Sequence, residues 1–263
     1  MTDRAATLTY FAMMSLFPGL LVGVTLLGLF GQEGLVSSAT KYLLDHGADA
    51  STAKVVNTTL TNMINTSSGA LGLTLLISLA LALNSASGAF GAAGRALNVV
   101  YGVEEDRGMV GRKLNDLLVA MVVIVLLLVV VAAIFLGGQI TDDLFGKIGL
   151  GDTASAIWSI ARWPLALLAA IAAYALVYSL APDRDPRKMK WFSWGAAVGV
   201  ILWLVLSAAF AIYVRNFAHY GAVYGAFATA IILLLWLYLS ANAFLFGGEL
   251  NAELEKGSAA RGQ

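Results

Sequence analysis

Six long apolar runs dominate this chain, near residues 8–30, 69–90, 116–138, 162–181, 192–214 and 223–247. A helix rises about 1.5 Å per residue, so about 20 residues cross a hydrocarbon core about 30 Å thick. Hydrocarbon supplies no hydrogen-bond partners, so a run that crosses must satisfy its own peptide groups as an α-helix. The expected fold is therefore all-α, a polytopic membrane protein with six transmembrane helices in one domain over 1–263. Composition agrees: 12% of residues are charged, roughly half the share usual in soluble domains. The mean hydropathy is +0.81. The first run is too long for the apolar part of a signal peptide, and it contains Pro18, which should kink or loosen the helix by removing one backbone bond.

Cations set the orientation. Arg4, the group Arg95, Arg107, Arg112 and Lys113, the group Arg184, Arg187, Lys188 and Lys190, and Lys256 with Arg261 all fall on one side of a six-span chain. Lys41, Lys54, Lys147, Arg162 and Arg215 form the smaller set on the other side. Both termini are expected to be cytoplasmic. Trp163, Trp191 and Trp194 then stand at span ends, where interfacial aromatics belong. The long segment 31–68 is expected outside. Ala53, Val56, Leu60 and Met63, like Val36, Ala39 and Leu43, repeat at helical spacing. Short helices on the membrane surface fit this pattern, and a lid over an outward cavity is the alternative. Two sequons, at Asn57 and Asn65, stand alone as signs of a secretory host.

The stretch LNSASGAFGAAGRALN, 83–98, poses the main functional question. Its glycines have neither the G-x-G-x-x-G nor the G-x-x-x-x-G-K-[ST] spacing of a phosphate loop. At about 100° per residue, Asn84, Ser87, Gly88, Gly91, Arg95 and Asn98 fall in one stripe. Phe90, Ala93, Leu97 and Val100 lie opposite. The second span should thus continue as an amphipathic helix with one small, polar face. That face either packs against another helix or lines a polar groove in which Arg95 meets an anionic group.

The last span carries a comparable stripe of Tyr238, Asn242, Glu249 and Glu253, with Asn251 turned away. Arg95 and Glu249 should reach similar depth, as partners or as separately hydrated charges. The pairs Gly19/Gly23, Gly195/Gly199 and Gly221/Gly225 argue for close helix packing.

Chemistry is otherwise sparse. There is no cysteine, which excludes disulfides, thiolate metal sites and a cysteine nucleophile, and the two histidines, His46 and His219, are far apart in sequence. No Ser/His/Asp or HExxH arrangement can be assembled. VEEDR at 103–107 and Asp142 with Asp143 read as polar surface and not as metal ligands. No ionisable residue lies deep in a span, which disfavours proton-driven transport. No catalytic residue, metal or cofactor is expected, and a net charge of zero implies no nucleic-acid partner. In APDRDPRKMKWFSW, 181–194, Pro182 and Pro186 should end the fourth helix. Arg184, Arg187, Lys188 and Lys190 there suit anionic headgroups, as a topology anchor or as a lipid contact.

Three segments together carry a resemblance: TLTYFAMMSLFPGLLVGVTLLGLFG (7–31), SASGAFGAAGRALNVVYGVEEDR (85–107) and LWLYLSANAFLFGGELNAELE (235–255). In this order they resemble the YihY/BrkB family of bacterial inner-membrane proteins, over nearly the whole chain. The resemblance implies six helices with cytoplasmic termini. It maps family motif residues onto Tyr10 and Pro18, onto Ser87, Gly88, Arg95, Asn98, Tyr101, Gly102, Glu104 and Glu105, and onto Gly247, Glu249, Asn251 and Glu253. Members were once labelled ribonuclease BN, a label since regarded as mistaken, and the chain's lack of nuclease chemistry fits that. Asn84 departs from the Trp usual there, and many members carry a further N-terminal segment, so a shortened start is expected.

The expected function is that of a permease or flippase-like transporter of a lipid or amphiphile in the bacterial inner membrane, and not an enzyme. Its groove would lie between helices two and six, with Arg95 near an anionic headgroup. The alternative is a non-transporting membrane scaffold that binds envelope proteins. Partners are membrane lipids, with a second copy or envelope proteins as further candidates.

Overall fold

The computed structural model describes residues 2–29, 40–41, 44, 50, 53–54, 57–58, 61, 68–135, 151–184, 193–217 and 221–261. They form six long helices: α1 (Thr2–Leu29), α2 (Ser68–Tyr101), α3 (Met109–Phe135), α4 (Gly151–Leu180), α5 (Trp194–Phe217) and α6 (Gly221–Arg261). The described residues between 40 and 61 are helical too, and Asn57 Nδ2 donates to Thr40 Oγ1 at 3.2 Å. Most of 31–68 lies outside the described residues. Among those described, Leu76–Tyr101, Ile160–Leu180, Trp194–Val214 and Ala230–Gly257 are long and apolar enough to cross a membrane. The chain forms two compact units, Met1–Ala12 with Ala86–Gln263, and Met13–Ser85. The site described below belongs to the first.

Small residues fill the inside of this unit and large aliphatics cover its outside. Ala92, Ala93, Ala96, Ala175, Ala196, Ala197, Ala241 and Ala243 are buried, whereas Ile201, Leu204, Val205 and Ile231 are exposed. Lipid tails are as apolar as leucine, so a leucine gains little by turning inward. Backbones approach best over alanine and glycine. Gly195 of α5 and Gly247 of α6 show this: a Cβ at Gly247 would lie 2.7 Å from the Gly195 carbonyl and 2.6 Å from the Tyr178 hydroxyl. The expected close packing at Gly195 and Gly199 is thus observed, while the side chains of the other two glycine pairs lie outside the description.

Tyr178 is the largest fully buried side chain among the described residues. Its hydroxyl donates to the Phe244 carbonyl at 2.5 Å, tying α4 to α6. Two tryptophan–serine bonds tie α5 to α6. Trp203 Nε1 donates to Ser240 Oγ and Trp236 Nε1 to Ser207 Oγ, each at 3.1 Å. A buried indole N–H without an acceptor is costly in hydrocarbon, so each serine is needed where it stands.

Helix ends differ from the apolar runs for local reasons. α2 continues beyond the apolar run, as expected, though with both its polar stripe and the opposite face largely buried; it runs to Tyr101, where Gly102 takes φ +68°. Gly102 N–H then bonds the Val99 carbonyl and Val103 N–H the Asn98 carbonyl, which closes the helix with a glycine in the left-handed region. Ser193 caps α5, its Oγ accepting from Ala196 N–H at 3.1 Å. α4 ends before Pro182, as expected, but begins at Gly151, well before the apolar run, and passes through Pro164. α1 runs as one helix through Pro18. α6 continues to Arg261 because its polar tail is rich in Ala, Glu and Leu and carries a Glu253–Lys256 pair at 2.9 Å.

Candidate functional site

The polar stripe of α2 faces the start of α3. Ser87, Gly88, Gly91 and Arg95 line a recess of about 370 Å³ together with Phe11, Met109, Arg112, Lys113 and Asp116. The small residues make this approach fit. A Cβ at Gly91 would collide with the Asp116 carboxylate and one at Gly88 would sit 3.1 Å from the Phe11 ring. Lys113 Nζ donates to the buried Ser87 hydroxyl at 2.5 Å. Three cations and one carboxylate therefore share a pocket. Asp116 is only 8% exposed, and no described residue donates a hydrogen bond to it. Met109, Val110 and Leu114 are exposed beside this basic lining.

The residues of the stripe, and Gly94 beside it, meet different neighbours along the helix. Ser87 to Arg95 line the recess. Farther along, Gly94 lies under the Ala181 carbonyl, at which a Cβ would come within 2.7 Å. Asn98, 5% exposed, is the centre of a clasp between two loops. Its Nδ2 donates to Glu105 Oε2 at 2.9 Å and its Oδ1 accepts from Asp183 N–H at 2.7 Å. Arg107 grips Glu105 with both ends of its guanidinium, at 2.6 and 3.0 Å, and reaches the Ala181 carbonyl at 3.1 Å. Asp183 in turn accepts from the backbone N–H groups of Asp106 and Arg107. The Arg107 hydrogen bond, aided by Asn98, holds the Glu105 carboxyl below its ordinary range despite partial burial. The VEEDR loop is thus not simply a solvated face: Glu105 and Arg107 are half-buried parts of the clasp, while Glu104 and Asp106 are exposed.

Beside the clasp, Arg184 pairs with Glu255 and stacks over the Tyr101 ring at 4.0 Å from its centroid. Asn251 Nδ2 donates to the Tyr101 hydroxyl at 2.8 Å. Arg187, Lys188 and Lys190 lie outside the described residues. The α6 stripe does not join the recess. Glu249 and Glu253 are exposed, Asn84 on α2 is exposed, and Asn242 donates to the Tyr238 carbonyl of its own helix at 2.8 Å.

One expectation is decided between its alternatives and another is corrected. Arg95 and Glu249 form no ion pair among the described residues, and the carboxylate beside Arg95 is that of Asp116, which meets it at Gly91. The reason is rotation of α6, which turns Gly248 to Leu97 and Asn251 to Tyr101, leaving Glu249 on the outside. The groove wall opposite α2 accordingly comes from α3 and not from α6. Asp116, Arg112 and Lys113 were absent from the expected site because they stand at the polar edge of an apolar run. Their residue types gave a signal, three charges in the first turns of a helix, but one without direction.

A family model described as virulence factor BrkB matches residues 1–263. The chain is 30% identical to the ribonuclease-like protein YfkH of Bacillus subtilis over 254 residues, 97% of this chain and 90% of that protein. It is 27% identical to a UPF0761 membrane protein of Alteromonas mediterranea, over 96% of this chain and 82% of that one. A UPF0761 membrane protein of Alkalilimnicola ehrlichii is 30% identical over 98% of this chain, which spans 56% of that protein's length. No solved structure matches the chain.

Proposed function

Because the chain belongs to the virulence factor BrkB family of membrane proteins, we propose that it moves a lipid or amphiphile whose headgroup includes an anionic group between the leaflets of the bacterial inner membrane. One observation carries this reading. A basic recess at the junction of α2 and α3 adjoins exposed Met109, Val110 and Leu114, so charged head and apolar tail of one ligand find complementary surfaces together. Arg95 and Arg112 would receive the anionic group, which as a planar fork a guanidinium does well. In this reading all six helices cross the bilayer, with both termini and the recess on the cytoplasmic side. The cost of carrying a charged headgroup through hydrocarbon is what such a recess would lower.

The scaffold reading has no comparable observation behind it. A ribonuclease reading would rest on the printed name of the Bacillus relative, since the recess brings together no acid–base pair around a nucleophile. Reconstitution into liposomes with acyl-labelled phospholipids tests the proposal. Exchange that is fast with the wild type and slowed by Arg95→Ala supports it; no exchange, or exchange indifferent to Arg95→Ala, refutes it.

A further inference from the structure

Asp116 is the feature of the recess that an anion site alone does not explain. The carboxylate stands in the field of Arg107, which is itself paired with Glu105, and of Arg95, Arg112 and Lys113, and it would oppose any anion placed between the last three. If it served only to neutralise the arginines, it would form an ion pair with one of them. The salt bridges of the described residues do not include Asp116, and Arg95 and Arg112 are also absent from them. A carboxylate has acceptor sites for about four donors, and those of Asp116 are not sealed off but reach the recess, where a donor from outside the chain can meet them. Asp116 nonetheless lines the recess, and Gly91 is kept free of a side chain where its oxygen lies.

We infer that the recess recognises a phosphate ester carrying an ammonium group a few bonds away, with Asp116 as the residue that selects the amine. The phosphate would lie against Arg95 and Arg112, and the ammonium would donate to Asp116. The ligand is then the phosphoethanolamine group, supplied by an aminophospholipid or by the free ester. Lys113, bonded to Ser87, closes the recess and contributes charge without being the phosphate's main contact. The volume of about 370 Å³ is at the lower end of small-molecule sites, which suits a headgroup and not a whole lipid. This inference deepens the transport proposal and rests on it for the biological setting, but its test does not need transport.

The full chain in phosphatidylglycerol nanodiscs is titrated calorimetrically with phosphoethanolamine and, separately, with glycerol phosphate, which keeps the phosphate and lacks the amine. Phosphoethanolamine should bind about tenfold tighter, as one charge-assisted bond allows. Asp116→Asn should abolish that difference, and Asp116→Glu, which keeps the charge, should retain most of it. Equal affinities in the wild type, no binding of either ester, or a preference untouched by Asp116→Asn would overturn the inference. Nanodiscs containing phosphatidylethanolamine identify the source: weakened binding of the soluble ester there assigns the site to the lipid headgroup, and unchanged binding assigns it to the free ester. Leaflet exchange that fails while this selectivity holds would refute transport and leave the recognition intact.

Discussion

Asn98→Ala removes the residue on which the loop clasp depends. Its side chain is buried and bonds in two directions, to the Glu105 carboxylate at 2.9 Å and from the Asp183 N–H at 2.7 Å. A hydrogen bond to a charged group contributes about 1.5–3 kcal/mol and a neutral one about 0.5–1.5 kcal/mol. Arg107 remains on Glu105 and recovers part of the first. The expected loss is about 2–4 kcal/mol, mostly from the stranded N–H and the weakened carboxylate contact. Unfolding in mixed micelles, titrated with a denaturing detergent, measures it against the wild type. Asn98→Asp is the informative companion. It keeps the acceptor for Asp183, loses the donor, and sets a second carboxylate beside Glu105, so it should be destabilised at least as much at neutral pH. Asn98→Ala within about 0.5 kcal/mol of the wild type would refute the clasp as a stabilising element.

Other consequences follow from the same contacts. Glu105 has a lowered folded pKa, so its contribution to stability is complete above its ordinary value near 4.5 and disappears as pH falls through the lower folded value. The stability gap between wild type and Glu105→Gln, measured by thermal unfolding, should therefore be largest near neutral pH and shrink as pH falls below 4.5. Gly247→Ala places a methyl group against backbone atoms of α5 and should cost about 1–3 kcal/mol, whereas Gly108→Ala, with open space around its Cβ, should differ by less than about 0.5 kcal/mol in the same unfolding assay. Trp203→Phe leaves the Ser240 hydroxyl without its donor and should cost about 0.6 kcal/mol from the bond, plus the packing lost with the larger ring.

The parts of this molecule legible in the sequence are those governed by local periodicity. Apolar run length located the long helices, and the 100° repeat placed Ser87, Gly88, Gly91 and Arg95 on the face that lines the recess. Periodicity could not say which helix opposes that face. Arg95 and Glu249 matched in depth, yet depth is one coordinate, and the rotation of α6 puts Asn251 inward instead. Asp116 was hidden because a charge at the end of an apolar run looks interfacial unless its neighbour is known to be a glycine on another helix. The clasp was hidden by sequence distance: Asn98 meets Asp183 across 85 residues, through two loops with no regular pattern. The early start of α4 escaped detection because Asp152, Thr153 and Ser155 lower hydropathy without breaking a helix.

The most direct test of the central claim blocks the recess reversibly. The chain has no cysteine, so Met109→Cys, at a recess-lining position that is 81% exposed, offers one thiol to a bulky methanethiosulfonate reagent before reconstitution. Ile157→Cys, exposed on α4, is the control. Leaflet exchange of acyl-labelled phospholipid should fall on modification at 109, recover when a reductant removes the adduct, and stay unchanged on modification at 157. Equal exchange before and after modification at 109 would contradict a lipid path through the recess.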